Sequence, residues 1–289
     1  MLYLGLFQRV DLEDWSMKLL MATGGSAHSE AALLFGMQIA KSSGTPPTVV
    51  TVIRREEARA QGLAVLARAH EILAEAGLDA DMILRVGSPA EEIVRAAYEG
   101  AHELAIVGER PTHGFFRRVM GSTAVHVVEN APCPVIIAKG KIGPIRRILL
   151  CDSGGLMPPL LSRFTAQLAH MLEGDEEVII LHVMSQITAG PGVNDEQLAA
   201  NADDLIRLHA PEGEILERDV EVLAQPHIHA TPKVRHGSII EEILDEASTG
   251  DYDLVVIGAH REQGWQKVLL ADIAHQIITH LDRPVLVVR

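Results

Sequence analysis

The chain has 289 residues, with 25 Lys/Arg against 39 Asp/Glu for a formal net charge of −14, and is 47% apolar but only 3% aromatic. Such a length fits two domains better than one, and the acidity excludes a surface built to hold the phosphate backbone of DNA or RNA. Two cysteines without a C-x-x-C spacing exclude a disulfide framework or a zinc ribbon, and no apolar run reaches the roughly 18 residues of a membrane span. A reducing, cytoplasmic setting is therefore expected.

In chain order, residues 1–16 read as an N-terminal extension without a basic, signal-like start, since they carry Asp11, Glu13 and Asp14. Met17 stands at the head of the first clear strand and is an alternative start. Short apolar runs predict strands at 18–23, 47–53, 81–86, 102–107 and 134–138. Amphipathic stretches between them predict helices near 27–42, 56–76, 89–100 and 120–129. Ser26 is placed to cap the first helix, Ser88-Pro89 with Glu91 to start the third, and Gly77 to end the second. "GKIGP" at 140–144 reads as a linker. Beyond it, strands are predicted at 147–152, 177–184, 229–236, 253–257 and 284–288, and Pro211 breaks the long middle helical stretch.

The chain repeats itself. "RVGSPAEEIVRAA" (85–97) matches "RHGSIIEEILDEA" (235–247), and "HELAIVGER" (102–110) matches "YDLVVIGAH" (252–260), both at an offset of 150. The same offset sets Pro134 against Pro284. Nearer the start, "KLLMATGG" (18–25) matches "RILLCDSG" (147–154) at an offset of 129, so the second copy is longer in its middle. Two copies of one element order predict duplicated domains, 17–139 and 145–289, rather than a solenoid of short repeats. Strand–helix alternation with Val/Ile-rich runs predicts a Rossmann-like α/β fold, each copy a five-stranded parallel sheet covered by helices. The apolar final strands, 134–138 and 284–288, are expected to meet and to pack the copies as a pseudo-dimer, because bare apolar edges need covering.

In such sheets ligands bind beyond the carboxyl ends of the strands, where strand order reverses. In the first copy those ends are "ATGGSAHS", the residues around Ile53, and "VGERPTHGFFRRVMGST". Glycine there lets backbone N–H groups approach an anion, and a following helix N-terminus attracts it. Gly121-Ser122-Thr123 stands at a helix start, with Arg110, Arg117 and Arg118 adding charge. The plainer alternative is that the glycines are turn residues and Ser122 only a cap.

Gly108, the spacing from it to Gly121-Ser122, and "APCPVIIAK" (131–139) together resemble the universal stress protein family, whose nucleotide-binding members carry G-x2-G-x9-G-[ST] after strand four. The resemblance covers both copies from residue 17. It implies tandem domains of the adenine-nucleotide α-hydrolase-like type, an ATP or AMP site in some members and none in others, and dimers as the usual assembly. Carried over by position, Gly108, Gly121 and Ser122 match the motif, while Pro111 replaces its middle glycine. Gly24, followed by Gly25, stands where members place an acidic residue beside the nucleoside, and Ile53 corresponds to the apolar residue near adenine. In the second copy Gly258 matches, but Arg261 and Ala271-Asp272 replace the other elements. A carboxylate at that helix start is expected to repel phosphate, and Asp152 falls one residue before the family's acidic position, Ser153.

The reading is thus a stress-response regulatory module with an altered adenine-nucleotide site in the first copy, at Gly24, Gly25, Ile53, Gly108, Arg110, Gly121, Ser122 and Thr123. The alternative is a non-nucleotide scaffold that recruits a protein partner through the acidic second half, where 23 Asp/Glu face 11 Lys/Arg after residue 143. A further homodimer is compatible with either. No nucleophile–base pattern or Walker motif points to an enzyme. No metal is expected, since His227 and His229 would share a strand face but make only two ligands. Cys133, without a basic neighbour, reads as structural.

Overall fold

The computed structural model describes residues 16–109, 121–153, 159–172, 174–184, 200–259 and 265–288. The first half runs β1 (Leu19–Ala22), α1 (Ala27–Ala40), β2 (Thr48–Ile53), α2 (Arg59–Glu75), β3 (Asp81–Val86), α3 (Pro89–Glu99), β4 (Leu104–Gly108), α4 (Ser122–Asn130) and β5 (Val135–Ala138). The second runs β6 (Arg147–Cys151), α5 (Leu160–His170), β7 (Glu176–Met184), α6 (Ala202–Arg207), α7 (Pro211–Leu223), β8 (Ile228–His236), α8 (Ile239–Thr249), β9 (Leu254–Gly258), α9 (Trp265–His280) and β10 (Val285–Val288). Among the described residues these strands form one sheet in the order β3-β2-β1-β4-β5-β10-β9-β6-β7-β8.

Pairing within each half is parallel, and the halves join through an antiparallel β5–β10 pair. In that pair Ile136 faces Leu286, Val135 faces Val287 and Ile137 faces Val285. Because Ile136 and Leu286 are equivalent positions of the repeat, a local two-fold axis passes between them, perpendicular to the sheet. The six side chains are essentially fully buried, so each half covers the other's apolar edge, as the repeat predicts.

Strand parity sorts the side chains into two cores. Val49 of β2, Phe35 and Leu33 of α1, Leu66 and Leu73 of α2 and, across the molecule, Leu168 of α5 and Leu216 of α7 fill one face. Val50, Ile93 of α3, Val127 of α4, Ile243 of α8 and Ile277 of α9 fill the other. The result is a three-layer sandwich, in which nearly continuous Val/Ile/Leu strands are buried on both faces.

Local signals act as expected with one exception. Ser26 accepts from Ser29 N, and the Ser29 hydroxyl accepts from Ser26 N at 2.9 Å, a reciprocal cap on α1. Pro89 opens α3, but Ser88 makes no capping bond through its side chain; Glu91 and Glu92 supply the negative charge that the first turn favours. Pro211 opens α7. The linker is tied to the first half, because Gln38 of α1 donates to the Gly143 carbonyl and accepts from Ile145 N, both at 3.0 Å. Among the described residues, no helix is long and apolar enough to cross a membrane.

Candidate functional site

Strand order reverses between β1 and β4 in the first half, because β2 and β3 extend to one side and β5 to the other. The crevice beyond their carboxyl ends holds a cavity of about 380 Å³. Gly24 from the β1 end, Gly108 and Glu109 from the β4 end, and Gly121, Ser122 and Thr123 from the start of α4 line it together. Val50 and Val52 of β2 and Ile93 of α3 form its apolar wall.

The three lining glycines answer to different pressures. At Gly108 an added Cβ would lie 2.1 Å from the His28 carbonyl oxygen and 2.9 Å from Ser29 Cα, so this glycine admits the first turn of α1 against β4. At Gly24 and Gly121 an added Cβ would meet nothing within 4 Å. Gly121 has an ordinary φ of −59° and N-caps α4 with no side-chain hydrogen bond. Neither packing nor backbone conformation calls for glycine there. Its effect is to leave the first N–H groups of α4 bare beside the cavity.

The β1 end is held by a short polar chain. Thr51 Oγ1 donates to the Thr23 carbonyl at 3.0 Å, and Gly25 N donates to Thr23 Oγ1 at 3.3 Å. Glu109 is the charged member of the wall among the described residues, and Lys139 pairs with it at 3.0 Å, both side chains nearly buried. The Lys139 ammonium also donates to the Ile278 carbonyl of the other half. Among the described residues the wall therefore carries no uncompensated negative charge that would repel an anion.

Of the predicted residues, Gly24, Gly108, Gly121, Ser122 and Thr123 come together around the cavity. Gly25 does not line it; its φ of 73° turns the chain into α1. Ile53 points to the opposite face, against Gly62 of α2, and Val52 takes the place expected of it, since alternate residues of a strand face opposite sides. Arg110, Pro111, His113, Arg117 and Arg118 lie outside the described residues.

The second half places its own cavity, of about 230 Å³, at the equivalent point, beyond the ends of β6, β7 and β9. His182 Nδ1 lies 3.0 Å from the Asp152 carbonyl, the contact that Thr51 makes to Thr23 in the first half. The expectation of a carboxylate at a helix start is corrected here. α9 begins at Trp265, so Ala271 and Asp272 stand inside the helix. Without a glycine at 271, "WQKVLLADIA" contains only residues that a helix tolerates, and the backbone runs straight through.

Behind this cavity Arg218 bonds to Asp152 at 3.0 Å and to Asp219 at 2.9 Å. Asp219 is fully buried, accepts from Ser162 Oγ at 2.9 Å, and keeps one carboxylate oxygen without a donor. Burial and the neighbouring Asp152 carboxylate push its pKa up to about 7.

Two cysteines and a histidine pair remain. Burial pushes the Cys133 thiol up to about 12 and the Cys151 thiol higher still, so both stay protonated. His227 precedes β8 in a left-handed conformation, φ 70°, beside Asp175, and does not share a strand face with His229. Among the described residues no cluster of three His, Cys, Asp or Glu could hold a metal.

Comparison with known proteins places this geometry. The model of the universal stress protein family matches residues 16–139 and again residues 144–289. "Universal stress protein YxiE" of Bacillus subtilis is 36% identical over 85 residues, which cover 29% of this chain and 57% of that relative, little more than half its length. The crystal structure of a universal stress protein from Archaeoglobus fulgidus superposes with a TM-score of 0.69 at 18% identity, covering 94% of this chain and 98% of that one. A universal stress protein crystallised in complex with cAMP is 25% identical, covers 43% of this chain and 98% of that one, and has a TM-score of 0.38.

Proposed function

The chain belongs to the universal stress protein family, and on that premise we propose that it is a stress-response regulatory module whose first half binds an adenine nucleotide, ATP or AMP, in the crevice beyond β1 and β4. The supporting observation is Gly121, a glycine that neither packing nor φ demands, set at the uncapped N-terminus of α4 and facing the cavity. The phosphates lie against the bare N–H groups of Ser122 and Thr123 and the Ser122 hydroxyl. Val50, Val52 and Ile93 bury the base. Gly24 stands where family members place an acidic residue, so the sugar loses one acceptor and binding is weaker than in members that keep it.

Calorimetric titration of the purified chain with ATP and AMP tests this. We expect one site per chain, with affinity lowered about 5- to 10-fold by Ser122→Ala, the loss of a single hydrogen bond. Gly121→Leu, which fills the cavity mouth where space is open, abolishes the heat. Absence of heat from the unmodified chain removes the nucleotide reading.

A further inference from the structure

We propose that the second half's crevice is a binding site for a compact, uncharged apolar molecule on the scale of a single aromatic ring, and that it excludes nucleotide. Three observations converge. First, the anion-binding element is gone at the level of the backbone. Where α4 starts at Ser122 with bare N–H groups, α9 starts at Trp265 and carries the equivalent position, 272, in its interior. Those N–H groups are spent on the helix.

Second, apolar side chains line much of the wall, beside Asp152, Ser153, His182 and Glu212. Ile239 replaces Pro89 and Ile273 replaces Thr123, and with Leu181, Ile243, Ile257 and Ile277 they surround about 230 Å³. An apolar cavity of about 150 Å³ is large enough for benzene, so the apolar part of this crevice has room for a ring of that size. Third, the charged groups that line the cavity among the described residues, Asp152 and Glu212, are both acidic. Arg218 is drawn off behind the wall by Asp152 and Asp219. Asp152 is compensated by Arg218, so it is the Glu212 charge that disfavours a phosphate or carboxylate here, a penalty that an uncharged ring escapes. The two halves have kept one crevice and differ at the helix start that would meet an anion.

The test uses the full chain with 13C-labelled isoleucine δ1 methyls, titrated with toluene and separately with AMP. Toluene is expected to shift the methyls of Ile239, Ile243, Ile257, Ile273 and Ile277 saturably, at about 0.1–1 mM as suits so small a ligand. AMP is expected to leave these five unmoved. Ala274→Phe, which projects from α9 into the cavity, should weaken the toluene response at least about tenfold. If that variant does not fold, Ile239→Trp at the start of α8 fills the same space. Shifts that fail to saturate, that persist undiminished in the filled variant, or that AMP reproduces would overturn the proposal.

Discussion

A glycine means different things at three positions around one cavity, and only geometry separates them. At Gly108 the α1 backbone occupies the space of a side chain, at 2.1 Å from a would-be Cβ. Gly108→Ala should therefore cost about 2–3 kcal/mol, because backbone cannot yield as a side-chain tip can. Gly24→Ala opens into empty space and should stay within about 0.5 kcal/mol of the parent. Urea unfolding of the two variants checks the contrast, and equal stabilities would mean that α1 does not pack as described. This also bounds what the motif reading could see. Gly108 and Gly121 look alike in a signature, yet the first serves the fold and the second faces the site. Ile53 was legible as the apolar end of β2 but not by face, since a shift of one residue turns every strand side chain over.

Between elements, the Arg218–Asp219–Ser162 contacts tie α7 to α5 and, through Asp152, to the end of β6. Asp219 is an acid whose folded pKa is raised to about 7 from an ordinary 3.8. The folded state thus holds this proton more tightly than the unfolded chain does. The stability that this contributes is complete below about pH 4 and is lost as pH rises through about 7. We expect the unfolding free energy to fall by roughly 2–4 kcal/mol across that window on this account. Asp219→Asn keeps an acceptor for Arg218 and Ser162 and removes the titration, so its stability should lose most of that slope in urea melts at pH 5 and pH 8. A variant with the parent's slope would place the proton elsewhere. None of this was readable beforehand, because Ser162 and Asp219 stand 57 residues apart and only the fold brings α5 and α7 together. The strands and helices were legible because short Val/Ile/Leu runs and helical periodicity are local. The start of α9 was not, because the expected break at 271 rested on a glycine that only the first copy has. The second cavity was not legible either, because nothing local distinguishes Ile239, Ile243 and Ile277 as cavity lining from residues of a helix core.

At the scale of the whole molecule, one antiparallel pair turns two similar halves into one sheet. Because β5 and β10 run in opposite directions, the carboxyl ends of the two parallel sets point to opposite edges, and the two crevices open away from each other. A ligand in one does not touch the other, which leaves each free to diverge in chemistry. The joint is apolar and central: Ile136 and Leu286 lie fully buried on the local two-fold axis. Lys139 reinforces it by reaching from the end of β5 to the Ile278 carbonyl of α9. Association of the halves should then depend on this interface rather than on the covalent link. If a protease site is inserted between Ile142 and Gly143 and cut, the two fragments should still elute together in size-exclusion chromatography at the volume of the intact chain. Leu286→Asp buries a carboxylate at the axis, at a cost of several kcal/mol, and should make the cut fragments separate while lowering the unfolding midpoint of the uncut chain. Separation of the unsubstituted fragments would show instead that the linker, pinned by Gln38, is what holds the sheet together.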